Sequence, residues 1–220
     1  MIEEKSQDLA SYMSSNTLPT IADKDVAPLL DAAIQDSGGS PITFIYFSGK
    51  SGIYTVGRDK ESMDPEQFYI AEPVSLKLGF ICWKGNQVIE RVEWLAVHKD
   101  QAVNNESLPD HGPYNDNEGW SQSMGFGMAS LDNCDEQFEF NSSSASGRNA
   151  IKDFFSELSR RIAKKEPCIP VFSFDTEKFT AQGNTNFKPK FKVGLWSTRE
   201  LLKKFFAGDI TKDQLYKQSK

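Results

Sequence analysis

Apolar residues recur at every second position through most of this chain, the spacing that lines one face of a β-strand, and at three- and four-residue intervals in only a few segments, as on a helix. "ITFIYF" (42–47) is a β-branched and aromatic run bounded by Ser48-Gly49, and "GIYTV" (52–56) follows it, which predicts a hairpin over 42–57. The longest alternating signal is "SLKLGFICWKGNQVIERVEWLAV" (75–97), two runs flanking Gly85-Asn86, a pair suited to a two-residue turn. On its first arm Leu76, Leu78, Phe80 and Cys82 are expected to share a face. On its second, Val88, Glu90, Val92 and Trp94 share one face and Ile89, Arg91, Glu93 and Leu95 the other.

A third hairpin is predicted from "WSQSMGFGMASLDN" and "EQFEFN" (120–141), turning around Asp132–Glu136. "IPVFSF" (169–174) leads into "FKPKFKVGLW" (187–196), where Phe187, Pro189, Phe191, Val193 and Leu195 are placed on one face and Lys188, Lys190 and Lys192 on the other, spaced by about 6.6 Å. Helical spacing dominates "SSSASGRNAIKDFFSELSRRIAKKEP" (142–167), with Ile151, Phe154, Phe155, Leu158 and Ile162 on one side, serines for capping and Pro167 as a stop. "STRELLKKFFAGDI" (197–210) is a C-terminal helix with Gly208 just past its end. A short amphipathic helix also fits "DKDVAPLLDAAIQDSGGS" (23–40).

This order predicts a mainly β fold with helices (α+β): an OB-like Greek-key β-barrel with one long helix inserted between late strands and a C-terminal helix. The organisation expected is an acidic, partly disordered N-terminal segment over 1–40, the barrel over 41–197, and a C-terminal helix with a basic tail over 198–220.

Charge changes the picture. Residues 1–145 carry nine Lys and Arg against 23 Asp and Glu, and residues 146–220 carry 16 against eight, so a net −6 divides into −14 and +8. An acidic chain of this kind can still hold a local basic surface for a polyanion. Cys82, Cys134 and Cys168 have no paired spacing for zinc and suit reduced thiols, no apolar run reaches membrane-span length, and the acidic start lacks the form of a signal peptide, so a cytoplasmic protein without membrane contact is expected.

Three weaker motifs carry chemistry of their own. "LPDHGPYND" sets Asp110, His111 and Asp116 in one loop, which admits a metal-dependent nuclease, although Pro-Asp-His-Gly-Pro is good turn chemistry as it stands and no HxH or HExxH spacing accompanies it. "GKSG" and "GFGM" match no nucleotide-binding loop and read as bends. "SSSASGR" places hydroxyls and Arg148 at a helix N-terminus, an anion-friendly arrangement or simply a capped helix. Residues 98–119 lack periodicity and exceed the usual loop length, which marks a functional excursion.

The broadest signal joins cations to flat rings. Lys188, Lys190 and Lys192, with Lys178, Lys77, Lys84, Arg91 and Arg148, would neutralise phosphates, and Trp83, Trp94, Trp120 and Phe187 would stack bases, the two ingredients of single-strand binding without sequence readout. The ordinary alternative for the lysine row is a solvated strand face.

"LPDHGPYNDNEGW", "SSSASGRNAI" and "FTAQGNTNFKPKFKVGLW" resemble a family of bacteriophage proteins found among replication and recombination functions, over roughly residues 40–197. The resemblance implies an OB-type single-stranded DNA-binding protein working in the cytoplasm of a bacterial host. The reading expected is non-enzymatic and without a cofactor, with single-stranded DNA, and phage or host replication and recombination proteins, as partners. Self-association is a further expectation. An acidic N-terminus engaging another protein as an adaptor is a second alternative.

Overall fold

The computed structural model describes residues 42–181 and 183–219; the helix expected within 23–40 and the acidic segment around it lie outside the described residues. Among the described residues nine strands make one curled sheet: β1 (Thr43–Phe47), β2 (Tyr54–Val56), β3 (Glu61–Ser62), β4 (Tyr69–Lys84), β5 (Gln87–Leu95), β6 (Gly119–Ser130), β7 (Gln137–Ser142), β8 (Ile169–Ala181) and β9 (Asn184–Ser197). Three helices accompany them, again among the described residues: α1 (Ala145–Ala163), α2 (Arg199–Phe206) and α3 (Lys212–Gln218). The fold is therefore α+β and mostly strand.

The sheet runs β3-β2-β1-β7-β6-β4-β8-β9, with β1 and β7 parallel and β5 added to β4. The 16-residue β4 organises it. One edge of β4 pairs with β6 along most of its length. The other pairs with β8 at Tyr69 and Ile70 and then, past an irregularity at Ala71–Leu76, with β5 from Lys77 onward. The first part of β4, between β6 and β8, thus passes into a three-stranded arm, β5-β4-β6. At the far end of the sheet the β1–β2 turn meets β8 and β9: Phe187 N donates to Gly49 O (2.9 Å), Thr176 Oγ1 donates to Gly52 O (3.0 Å), and Tyr54 OH donates to Asp175 O (2.7 Å) while accepting from Lys190 N (3.2 Å). Burial pushes that Tyr54 phenol far up, so it stays a neutral donor.

Inside the curl, Ile151, Phe154, Phe155 and Leu158 of α1 pack against Tyr69, Phe126, Phe140, Phe172 and Phe174. Rings in this core meet mostly tilted or edge-on, with Phe126 and Phe155 5.3 Å apart, the geometry that brings positive edges to negative faces. Ser144 Oγ caps α1 by accepting from Gly147 N (3.1 Å). The opposite side of the same sheet buries a second layer, Ile70, Val171, Leu195, Leu202 and Leu215, beneath α2 and α3.

Local periodicity and structure differ at four points. Gly194 is the extra residue of a bulge opposite Val171 and Phe172; it switches Leu195 into the outer layer while Phe191, Val193 and Trp196 pack inward, so Leu195 does not share their face. A second bulge lets Val88 oppose Trp83 with Ile89 unpaired, taking Val88 off the face of Glu90 and Trp94. Ile162 lies on the exposed side of α1. The segment expected to be a basic tail forms α3, opened by a capping box at Thr211 and Gln214. Elsewhere the turn chemistry holds: Gly85 and Asn86 both have positive φ, as a two-residue hairpin turn requires, and Gly208 (φ 81°) ends α2.

Candidate nucleic-acid interface

The predicted cations and rings are distributed over three surfaces, and only one of them combines an open cleft with aromatic walls. On the arm, Leu78, Phe80 and Cys82 of β4 stand beside Trp94, Val92 and Glu90 of β5 and Met124, Gln122 and Trp120 of β6. This face continues the inner face of the curled sheet, because Leu76 and Met124 pack on the inner core. Phe80 and Trp94 rings lie 6.1 Å apart. The loop between β5 and β6, with 3₁₀ turns at Lys99–Gln101 and Asn105–Ser107, folds back across the arm.

Several bonds strap that loop down. Trp120 Nε1 donates to Pro109 O (2.8 Å), Lys84 Nζ donates to His111 O (2.7 Å), and Tyr114 OH lies 3.7 Å from Cys82 Sγ. His111 Nε2 hydrogen-bonds Glu90 Oε2, and its ring sits 5.9 Å from Trp120. Glu118 accepts from the backbone N–H groups of Asn115 (2.9 Å) and Gly85 (2.8 Å), which hold its carboxyl below the usual range. What remains open is a cleft of about 360 Å³ lined by Phe80, Val103, Asn104, Asn105, Trp120 and Gln122. Arg148, in the first turn of α1, donates through Nη1 to Gln122 O (3.2 Å) and to Ser143 O. Its guanidinium is thereby fixed beside the cleft wall.

The lysine row occupies a second surface, the outer face of the β8–β9 hairpin. Lys188 pairs with Glu177 (2.9 Å) and Lys190 with Asp175 (3.8 Å), each directly across the strand pair, and Lys192 opposes Ser173. Lys192 is exposed and has no ion pair among the described residues. Lys178 opposes Phe187, which places both on the other face of the hairpin. Phe187 packs against the β1–β2 turn rather than standing free: a Cβ at Gly52 would lie 2.7 Å from its ring.

The third surface is the back of the arm. Lys77 is bonded to Glu139, which is 4% exposed and also accepts from Asn141 Nδ2 (2.5 Å), and Arg91 pairs with Glu93 (3.5 Å). Burial pushes the Glu93 carboxyl up, and Arg91 opposes the shift. Gly125 leaves room for the Asn141 amide here, since a Cβ would overlap Asn141 Oδ1 and force that side chain to move. Trp83, opposite Val88 and Gly119, also faces this side, away from Trp94 and Trp120.

The structure therefore brings Trp94, Trp120 and Arg148 to one region. It leaves Lys188, Lys190 and Lys192 on another, and Lys77, Arg91 and Trp83 on a third. Lys84 serves as a loop strap. Phe80, Gln122 and Val103–Asn105 join the cleft although periodicity marks none of them as site residues; Phe80 is visible as a face-mate of Leu78 and Cys82, but the loop's return over it leaves no periodic trace. In that loop Asp110 Oδ1 accepts from Gly112 N (2.8 Å) to close a turn, and among the described residues no three His, Cys, Asp or Glu are grouped to hold a metal ion. Cys82 is buried, Cys134 exposed and Cys168 half-buried, all free thiols, and no described helix is long and apolar enough to cross a membrane. No protein-family model, curated protein or solved structure matches this chain.

Proposed function

We propose that this chain binds single-stranded nucleic acid with little sequence preference, using the aromatic face of the arm, and that it serves phage replication or recombination as the sequence resemblance implies. The observation that carries the reading is the gathering of Phe80, Trp94 and Trp120 on one open face with the Arg148 guanidinium held at its edge. Bases stack on such rings without hydrogen-bond readout, at about 1–3 kcal/mol per base. The curled, helix-plugged sheet supports an OB-like barrel as its frame.

In this reading the lysine row is an auxiliary surface. Its carboxylate partners are half-exposed, and exposed pairs contribute roughly 0–1 kcal/mol, so a phosphate can displace them. The test is tryptophan fluorescence titration with oligo-dT in EDTA at two salt concentrations. Binding that weakens with salt, and falls about 5- to 150-fold in W120A, is expected. No saturable quenching at low salt would sink the proposal.

A further inference from the structure

β5 is an edge strand. It pairs with β4 alone in the sheet; outside that pair, among the described residues, His98 N donates to Leu95 O (2.9 Å) at its end. The outward N–H and C=O groups on alternate residues of β5, with Val88 and Ile89 exposed at one end, are a template for another strand. Edge strands usually deter such pairing with charge, and β5 carries Glu90, Arg91 and Glu93. The spacing of these charges, however, is self-complementary. When a strand pairs antiparallel with its own copy about a two-fold axis normal to the sheet, opposite residues must share a face, so the axis passes midway between one residue and its own copy. An axis at Arg91 would set guanidinium against guanidinium. An axis at Val92 sets Arg91 against the partner's Glu93 twice and Val92 against itself, both clear of the bulge at Ile89.

We propose that two copies of this chain associate through β5, antiparallel and centred on Val92, to give a continuous sheet β6-β4-β5-β5-β4-β6. The reciprocal Arg91 and Glu93 contacts turn the pair seen within one chain (3.5 Å) into a four-charge cluster on the back of the arm. The axis leaves the aromatic faces of both copies on the same side, so Trp120, Phe80 and Trp94 of one copy continue into the same rings of the other. That last consequence rests on the proposed function. The association itself does not.

The experiment places one cysteine on β5 of the full chain carrying Cys134→Ser and Cys168→Ser, and treats it with a short bis-maleimide crosslinker. Val92→Cys is expected to give a covalent dimer in high yield and Gln87→Cys little, because Gln87 would lie about 30 Å from its copy. Equal crosslinking at both positions, or none at Val92→Cys, overturns the proposal. As an independent arm, light scattering should find wild-type dimer, loss of dimer in Arg91→Glu, and recovery in the Arg91→Glu/Glu93→Arg double variant. A wild-type monomer at high concentration, or a double variant no better than the single one, also overturns it. Nucleic acid is absent throughout, so failure here leaves the titration result standing, and the reverse.

Discussion

The aromatic arm and the lysine hairpin are both built from alternating strands, yet they end as opposite kinds of surface. On the hairpin, the polar face meets the polar face of its partner strand, so Lys188 and Lys190 are answered by Glu177 and Asp175. On the arm, the apolar face leaves the core behind as β4 parts from β8, and a loop covers only part of it, leaving Phe80 and Trp120 beside an open cleft. Alternation places a side chain on a face. The neighbouring strand decides whether that face is neutralised, buried or open.

Removing what both regions share should have the largest effect. Phe172 is fully buried on β8 and touches the rings of Tyr69, Phe126, Phe154, Phe174 and Phe191. Phe172→Ala should cost about 3–5 kcal/mol and lower the urea midpoint for tryptophan fluorescence and circular dichroism together. Separate transitions by the two probes would mean that the arm does not depend on the inner core.

Next in size is the back of the arm. Lys77→Met leaves the Glu139 carboxylate buried without its cation; removing one partner of a buried pair typically costs 3–5 kcal/mol, and the partial exposure of Lys77 reduces the expectation to roughly 2–3 kcal/mol. Adding Glu139→Gln should recover most of the loss in a double-mutant cycle, and additive losses would show that the pair is not coupled.

Binding separates the two surfaces more finely. Replacing Lys188, Lys190 and Lys192 with alanine should change affinity for oligo-dT less than W120A does, and flatten the salt dependence by about 0.7 in slope for each phosphate no longer neutralised. A triple variant that abolishes binding while W120A is silent would exchange the roles of the two surfaces.

The smallest effect is a pH dependence carried by Glu93. Burial raises its folded pKa above the unfolded value, so the folded state favours the protonated form; this contribution is fully present below the unfolded pKa and is lost as pH rises through the folded one. Glu93→Gln should therefore flatten the stability profile across the carboxylate range, by comparison of urea midpoints with wild type. An unchanged slope would remove Glu93 from the account.

Much of the fold is legible where neighbours in sequence are neighbours in space. Hairpins at Ser48–Gly52, Gly85-Asn86 and Asp132–Glu136, the Ser144 cap and the Gly208 stop follow from turn and cap chemistry that acts over a few residues. The candidate site is legible only in its rings. Trp94 and Trp120 lie 26 positions apart and share a face because β4 stands between them. Nothing at Lys77 foretells Glu139, since their meeting depends on β6 and β7 arriving in one register.

Strands, their two-faced character, the long capped helix and the uneven charge all follow from the order of residues alone, because strand and helix periods are properties of the local backbone. Which face of each strand is covered, which cation keeps a free charge, and where β4 passes from the helix-covered sheet into the arm were fixed only when the chain folded. Those outcomes depend on bulges at Gly194 and Ile89 and on pairings across the whole chain, where one added residue reverses every side chain beyond it.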